Sequence, residues 1–326
     1  MDTDSRAGPL AKSDGTGEAD PAASARRMGP LAFFCDGPGL DGALTLLALA
    51  YLVVFGLAPI LYVVLMSVQT VDMFTLGDLD RPFVGLANYV DVLTRPEAGM
   101  VARHTLVFVA LSVAGQIVVG FALALFFQQD FPGARIMRGF FLAGWIMPGL
   151  VVGGIWRWLL AGDNGVVNYL LAVTHLHPSK IFWMSDPATS LYAVTLANVW
   201  LGIPFSMLLL SVGLAAVPKD LYEAAALDGA GPLARFRSIT LPMMRATLGA
   251  LVSLSVIFTL QQFDLFAAMT QGGPSNSSNV AQLWSWQLSF QTYDIAGGST
   301  IAVLMIAVVI GVAVLYVRST RHEHAA

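Results

Sequence analysis

The sequence predicts an all-α integral membrane protein with six transmembrane helices and a cytosolic loop in which two short helices meet at a glycine. The first observation behind this prediction is composition. Of the 326 residues, 56% are hydrophobic and only 12% are charged, whereas a soluble domain carries about 25% charged residues. The second observation is a series of six long apolar runs, and the third is the polar segment 217–243 between the fourth and fifth runs.

Residues 1–39 precede the first apolar run and are rich in Asp, Gly, Ala, Ser and Pro without hydrophobic periodicity. Such a segment cannot bury enough apolar surface to offset the entropy lost on ordering. We therefore predict a disordered cytosolic tail there. The membrane domain is expected to cover 40–318 and to leave a short cytosolic tail at 319–326.

Each apolar run is long enough, at about 1.5 Å per residue, to cross a hydrocarbon core about 30 Å thick. Backbone groups left unpaired in lipid cost several kcal/mol each, so the runs must form helices and not strands. Pro148 and Arg157 interrupt the third run. The predicted spans are 43–68, 104–127, 139–160, 189–216, 244–268 and 296–317.

The distribution of Lys and Arg sets the orientation, because these residues collect on the cytosolic side of a membrane. With the N-terminus inside, five of the 17 basic residues fall outside the cell: Arg81, Arg95, Arg103, Arg157 and Lys180. The other twelve fall in the cytosol: Arg6, Lys12, Arg26, Arg27, Arg135, Arg138, Lys219, Arg235, Arg237, Arg245, Arg318 and Arg321. Both termini and the segment 217–243 are therefore predicted to be cytosolic.

Several classes of function are excluded by what the chain lacks. Its net charge of −4 provides no basic surface for nucleic acid. Cys35, the single cysteine, excludes an internal disulfide and a thiolate metal cluster. His175 and His177 lack a third ligand, so no metal site is expected. No phosphate-binding loop or catalytic motif is present, so we expect no enzyme activity and no cofactor in this chain.

The segment 217–243, called the elbow below, predicts two short helices. Residues 219–228 are dense in Ala, Leu and Glu, which favour helix, and Pro218 suits the first turn. Gly229 fits a C-terminal cap with a positive φ. Pro232 begins the second helix, and Pro242 marks the expected boundary with the fifth span.

The elbow also contains a spaced motif: Glu-Ala-Ala, three residues, Gly, nine residues, Ile, one residue, Leu-Pro. Every fixed position is filled, by Glu223, Ala224, Ala225, Gly229, Ile239, Leu241 and Pro242. A compact helical loop of this kind suits a groove in a partner protein. The alternative is an amphipathic cytosolic loop with no special role.

On this motif the chain resembles the permease subunits of carbohydrate-type ABC importers, typified by maltose, trehalose and glycerol-3-phosphate permeases. Secondary phrases extend the resemblance over roughly 40–318: Phe83–Tyr89, Pro204–Leu210, Val217–Glu223, Phe263-Asp264 and Gln271–Pro274. The resemblance implies import of a sugar or related polyol across the cytoplasmic membrane. It also implies an external binding protein, expected to be a lipoprotein, a second permease, and two ATPase subunits that bind the ATP and Mg.

The same resemblance assigns ATPase docking to the elbow. The residues expected at that contact are Glu223, Ala224, Ala225, Asp228, Gly229, Ile239, Leu241 and Pro242. We expect Glu223 to be the polar anchor and the small alanines to allow close approach. Leu221, Leu227 and Leu233 are expected to supply apolar contact.

A solute path requires polar and aromatic side chains inside the helix bundle, because lipid-facing polar groups are penalised. Asn198 lies about nine residues into the fourth span, roughly 14 Å deep. Asn198 together with Trp200 is the leading candidate site. Gln116, Gln262 and Asp264 are further candidates, the last one near the outer edge.

Three alternatives remain open. For each polar candidate, the competing role is an interhelical hydrogen bond without solute contact. For the whole chain, one competing class is a stand-alone ion-coupled carrier, which needs an acidic or gating residue near the membrane midplane. The other is an integral membrane enzyme, which needs a catalytic cluster at one interface.

Four glycines in the third span are expected to permit close helix packing: Gly144, Gly149, Gly153 and Gly154.

Overall fold

The computed structural model describes residues 38–323, apart from 79, 130 and 178. Most of the predicted N-terminal tail and the last three residues lie outside this range. Within it, the chain is helical almost throughout, and the β-structure is limited to one isolated antiparallel bridge between Gln69 and Phe83. The prediction of an all-α membrane fold is confirmed.

The described chain divides after residue 62 into two compact units. The first unit is helical: α1, Pro38–Tyr51, continues through a π-helical stretch, Leu52–Leu57, into α2, Ala58–Ser67, which extends past the division. Most side chains of this unit are apolar, and nearly all are exposed. A helix that is apolar on every face is typical of a membrane span.

The second unit contains the rest of the fold. Its helices are α3 Ala87–Thr94, α4 Ala98–Phe127, α5 Ala134–Trp145, α6 Gly149–Leu159, α7 Val166–Val173, α8 Ser190–Ala215, α9 Lys219–Leu227, α10 Pro232–Arg235, α11 Leu241–Met243, α12 Arg245–Leu260, α13 Asp264–Met269, α14 Ala281–Phe290 and α15 Ile295–Glu323. A π-helical stretch, Phe236–Thr240, joins α10 to α11. The two long helices α4 and α8 pack along each other, and α12 packs against both.

Four stretches of the described chain are long and apolar enough to cross a membrane: Leu40–Ser67, α4, α8 and Ile295–Arg318 within α15. Two further pairs of helices qualify only if each bent pair is taken as one span. The pair α5 and α6 is bent by 101°, and the pair made by residues 232–243 and α12 is bent by 69°. Six spans therefore remain the predicted number.

The third and fifth predicted spans are interrupted in the structure. The run 139–160 breaks before α6, where Pro148 is extended (ψ 135°) and has no N–H to continue the helix. The run 244–268 leaves the helix after Leu260 and resumes at Asp264. A carboxylate in the first turn stabilises a helix N-terminus, which favours a new start at that residue.

Two of the apolar clusters in the second unit lie at opposite ends of α4 and α8. The cluster on the elbow side includes Phe121, Met207 and Leu251, and the elbow packs against it. The far cluster includes Phe108 and Phe266, whose rings meet edge to face at 4.8 Å. The middle of the bundle lies between these clusters.

Candidate functional site

The elbow has the helix-glycine-helix form that the sequence predicts. α9 ends at Leu227, and Gly229 follows with φ +78°. The N–H of Gly229 donates to the carbonyl of Ala226 at 3.1 Å, and the N–H of Ala230 donates to that of Ala225 at 2.9 Å. This pair of bonds is a Schellman motif, in which glycine is preferred because only it adopts a positive φ without steric cost.

The two ends of the elbow differ slightly from the prediction. Pro218 precedes α9 in an extended conformation (ψ 132°) and is not part of its first turn. Pro232 does begin the second helix, but the helical path continues through the π-helical stretch and past Pro242. The helix passes Pro242 because this residue lies in the first turn of α11, where a missing N–H costs nothing, and the chain turns two residues later, at Met244.

The elbow is held in place by contacts within it and by contacts with the bundle. The hydroxyl groups of Tyr222 on α9 and Thr240 are hydrogen-bonded at 2.8 Å. The ring of Phe236 meets that of Phe121 edge to face at 5.4 Å, and Ile239 packs on the same cluster. These contacts make the elbow a stiff attachment to the long helices.

The expected docking residues lie mainly on the free face of the elbow. Glu223, Ala224, Asp228, Gly229 and Leu241 are exposed, whereas Ala225, Ile239 and Pro242 are half-buried. Glu223 has no ion-pair partner in the part of the chain that the structure describes.

The elbow also exposes apolar side chains. Leu227 is 90% exposed and Leu233 is 63% exposed.

A cavity of about 160 Å³ lies between α4, α8, α12 and the end of α5. It brings together three predicted solute residues from three separate parts of the sequence: Gln116, Asn198 and Gln262. The remaining lining residues are Trp145, Leu201, Gly202, Phe205, Ser255, Phe258 and Thr259. Amides, hydroxyls and aromatic rings therefore surround one space in the middle of the bundle.

Several polar atoms in this cavity have no partner within the described structure. The Gln116 amide donates to the backbone carbonyl of Asn198 at 3.0 Å. In contrast, Asn198 Nδ2, Ser255 Oγ and Gln262 Nε2 are buried without a hydrogen bond. Because leaving a buried polar group unpaired costs about 1–3 kcal/mol, these groups favour a polar ligand or water.

Sequence reasoning missed the hydroxyls and the aromatic walls. Ser255 and Thr259 are four residues apart on α12 and so share one face. Their four-residue spacing could have identified these two hydroxyl residues from the sequence. In the sequence, nothing distinguishes the aromatic residues Trp145, Phe205 and Phe258 from ordinary core or lipid-facing residues. They meet around the cavity only because three helices pack together.

The structure does not bring Trp200 or Asp264 into this cavity. Trp200 is 41% exposed, packs on Trp156 with ring centroids 6.2 Å apart, and lines a neighbouring cavity of about 240 Å³. Residues two apart on a helix face different directions, which separates Trp200 from Asn198. Asp264 begins α13 and lies against Gly149 instead.

The fold, the polar bundle interior and the surface elbow define a membrane-embedded transport subunit. A family described as the binding-protein-dependent transport system inner membrane component matches residues 116–321. The chain belongs to this family, and it is a multi-pass membrane protein.

Individual proteins similar to this chain agree with this family assignment. The trehalose/maltose transport system permease protein MalF of Thermococcus litoralis is 32% identical over 245 residues, 74% of this chain and 81% of that protein. The diacetylchitobiose uptake system permease protein DasB of Streptomyces coelicolor is 31% identical over 259 residues, 78% of each chain. In solved structures, a bacterial alginate ABC transporter chain has the same fold, with TM-score 0.73 at 17% identity, covering 87% of this chain and 94% of that one.

Proposed function

We propose that this chain is the transmembrane permease subunit of an ATP-driven ABC importer, passing a sugar or related polyol into the cytoplasm. The solute would arrive from an external binding protein, which delivers it to the outer side of this chain. A second permease and two ATPase subunits, which bind the ATP and Mg, would complete the assembly. Support comes from the family and from the sugar-transport names of its relatives.

The observation that carries the sugar assignment is the cavity in the middle of the bundle. Sugars present many hydroxyl groups together with apolar C–H faces, and the cavity offers matching groups. Asn198, Gln262 and Ser255 supply free donors, and Trp145 and Phe205 supply aromatic walls. A charged ligand would meet no counter-charge there, because no lining residue is ionisable.

The elbow is proposed to dock in the ATPase, with both chain termini on the same cytosolic side and six spans in between. Stiffness is required, because ATPase closure must be converted into helix movement. The Tyr222–Thr240 bond and the packing of Phe236 and Ile239 meet that requirement. The free carboxylate of Glu223 remains available for a basic group on the partner.

Uptake of radiolabelled disaccharides, in cells with and without the gene, tests this function. We expect uptake to require this chain, to stop when the partner ATPase carries an inactive nucleotide site, and to persist when the proton gradient is collapsed while ATP is maintained. Uptake that stopped with the gradient and ignored the ATPase would contradict the proposal in favour of an ion-coupled carrier.

Gly202→Ala is expected to reduce uptake about tenfold. A Cβ at this position would lie 2.3 Å from Cδ and 2.4 Å from Nε2 of Gln116, so the amide must leave its bond to Asn198. Losing that bond and displacing the side chain into the cavity costs about 1.4 kcal/mol or more. Initial uptake rates in whole cells measure the effect.

Two further variants make this prediction specific. Gly202→Ala combined with Gln116→Ala should recover part of the lost uptake, because truncation vacates the space that the new methyl group needs. Gly144→Ala is the matched control, since its Cβ would make only an ordinary 3.5 Å contact with Trp200. Equal losses of uptake in Gly144→Ala and Gly202→Ala would contradict a specific role for the Gln116 amide.

A further inference from the structure

Two short helices on the side of the bundle away from the elbow are packed closely. α13 stands at the far end of α12, and it lies against α6. A Cβ on Gly153 would be 2.6 Å from Cβ of Ala268, and one on Gly149 would be 2.8 Å from Cβ and Oδ2 of Asp264. Neither position therefore accepts a side chain without separating the helices.

The contact has polar components at both ends. The carboxylate of Asp264 lies against the first residue of α6, where unpaired backbone N–H groups favour a negative charge. At the other end of α6, Nη1 of Arg157 donates to the backbone carbonyl of Ala268 at 3.4 Å. We call this set of contacts, made by Gly149, Gly153, Arg157, Asp264 and Ala268, the clasp.

Both helices of the clasp follow a break in the chain, and both breaks border the central cavity. The first break, 146–148, comes directly after Trp145, which lines the cavity and ends α5. The second break, 261–263, contains Gln262, which lines the cavity from the other side. The clasp thus stands on the far side of the cavity. Each of its helices follows a non-helical connection, and α13 also packs into the far cluster through Phe266.

We propose that the clasp holds α6 and α13 together over the central cavity, and that separation of these two helices controls access to the cavity from the side away from the elbow. Asp264 and Gly153 are then positioning residues for transport and do not contact the solute. This inference rests on the proposed transport function and on the outward orientation of that side. It reassigns Asp264 from the solute path to the element that covers it.

Access to the cavity can be measured without any solute. Gln262→Cys, in a Cys35→Ser background that removes the single native cysteine, places a thiol in the cavity wall. The complex, with its partner subunits, is kept in right-side-out membrane vesicles. A membrane-impermeant maleimide added from outside then reports how often the covering helices separate.

Gly153→Ala should raise the labelling rate at residue 262 about tenfold, which corresponds to about 1.4 kcal/mol, because the new methyl group forces the helices apart. The double variant Gly153→Ala with Ala268→Gly exchanges the two side-chain sizes. It should be labelled at the rate of the protein that carries only Gln262→Cys and Cys35→Ser. Gly154→Ala is the matched control, since a Cβ there meets nothing within 4 Å. Asp264→Asn should raise the rate as Gly153→Ala does.

An unchanged rate in Gly153→Ala, or no recovery in the size exchange, would overturn the proposal, provided that both variants insert in normal amounts. A loss of folding would show as reduced insertion, and Asp264→Asn, which adds no volume to the contact, then decides the proposal by its own labelling rate. The labelling result is independent of the proposed function. If the parent failed to import sugar, the importer assignment would fall, while the labelling pattern would still decide the clasp.

Discussion

Gly229→Val is expected to abolish most transport, whereas Gly231→Val, two residues away, should leave it nearly unchanged. Gly229 has φ +78° and ends α9. A β-branched residue is a severe outlier there, and the strain is of order 1–3 kcal/mol. Gly231 has φ −69° and ψ 168°, which valine adopts readily, and a Cβ there has open space.

The physical reason is the geometry of the docking face. Refolding the Schellman turn would release the bonds of Gly229 and Ala230 to α9 and would turn Glu223 away from the second elbow helix. We expect uptake and solute-stimulated ATP hydrolysis to fall about tenfold or more. Membrane insertion should remain normal, since no apolar span is altered. Equal uptake by the two valine variants would show that the elbow conformation is not needed.

Asn198→Ala and Gln262→Ala are each expected to weaken solute binding about tenfold. Each change removes a free donor from the cavity, and a hydrogen bond contributes about 0.5–1.5 kcal/mol. Binding of radiolabelled solute to the purified complex measures the loss. Basal ATP hydrolysis should be unaffected, because neither residue touches the elbow.

Trp200→Ala is the informative comparison for these variants. Trp200 is on the same helix as Asn198 and has a much larger side chain, yet it lines a different cavity. Its truncation should change solute binding less than about twofold, an energy below about 0.4 kcal/mol. A large effect at Trp200 with none at Asn198 or Gln262 would place the solute in the neighbouring cavity.

Local chemistry was enough to predict much of this protein. The helix-forming residues before Gly229 predicted its positive φ. Pro232 was correctly predicted to begin a helix. The long helices followed from apolar length alone, since α8 covers 190–215 against a predicted 189–216. These features depend on residues close together in the sequence.

Features that depend on distant contacts could not be predicted. The run 244–268 looks continuous because Gln261 and Gln262 do not break an apolar pattern, so the start of α13 was missed. Asp264 faces Gly149, a contact between residues far apart in the sequence. The separation of Trp200 from Asn198 follows from which neighbouring helices cover each face of α8.

Association with an ATPase through the elbow is the central claim. The most direct test is affinity purification of the complete chain from native membranes in mild detergent, followed by mass spectrometry of the proteins that remain bound. We predict recovery of an ATPase subunit and a second permease, with the ATPase lost in Glu223→Ala and retained in Asp220→Ala, which removes an exposed acid from the same helix. A correctly folded chain that retained no ATPase, or retained it equally in both variants, would contradict the claim.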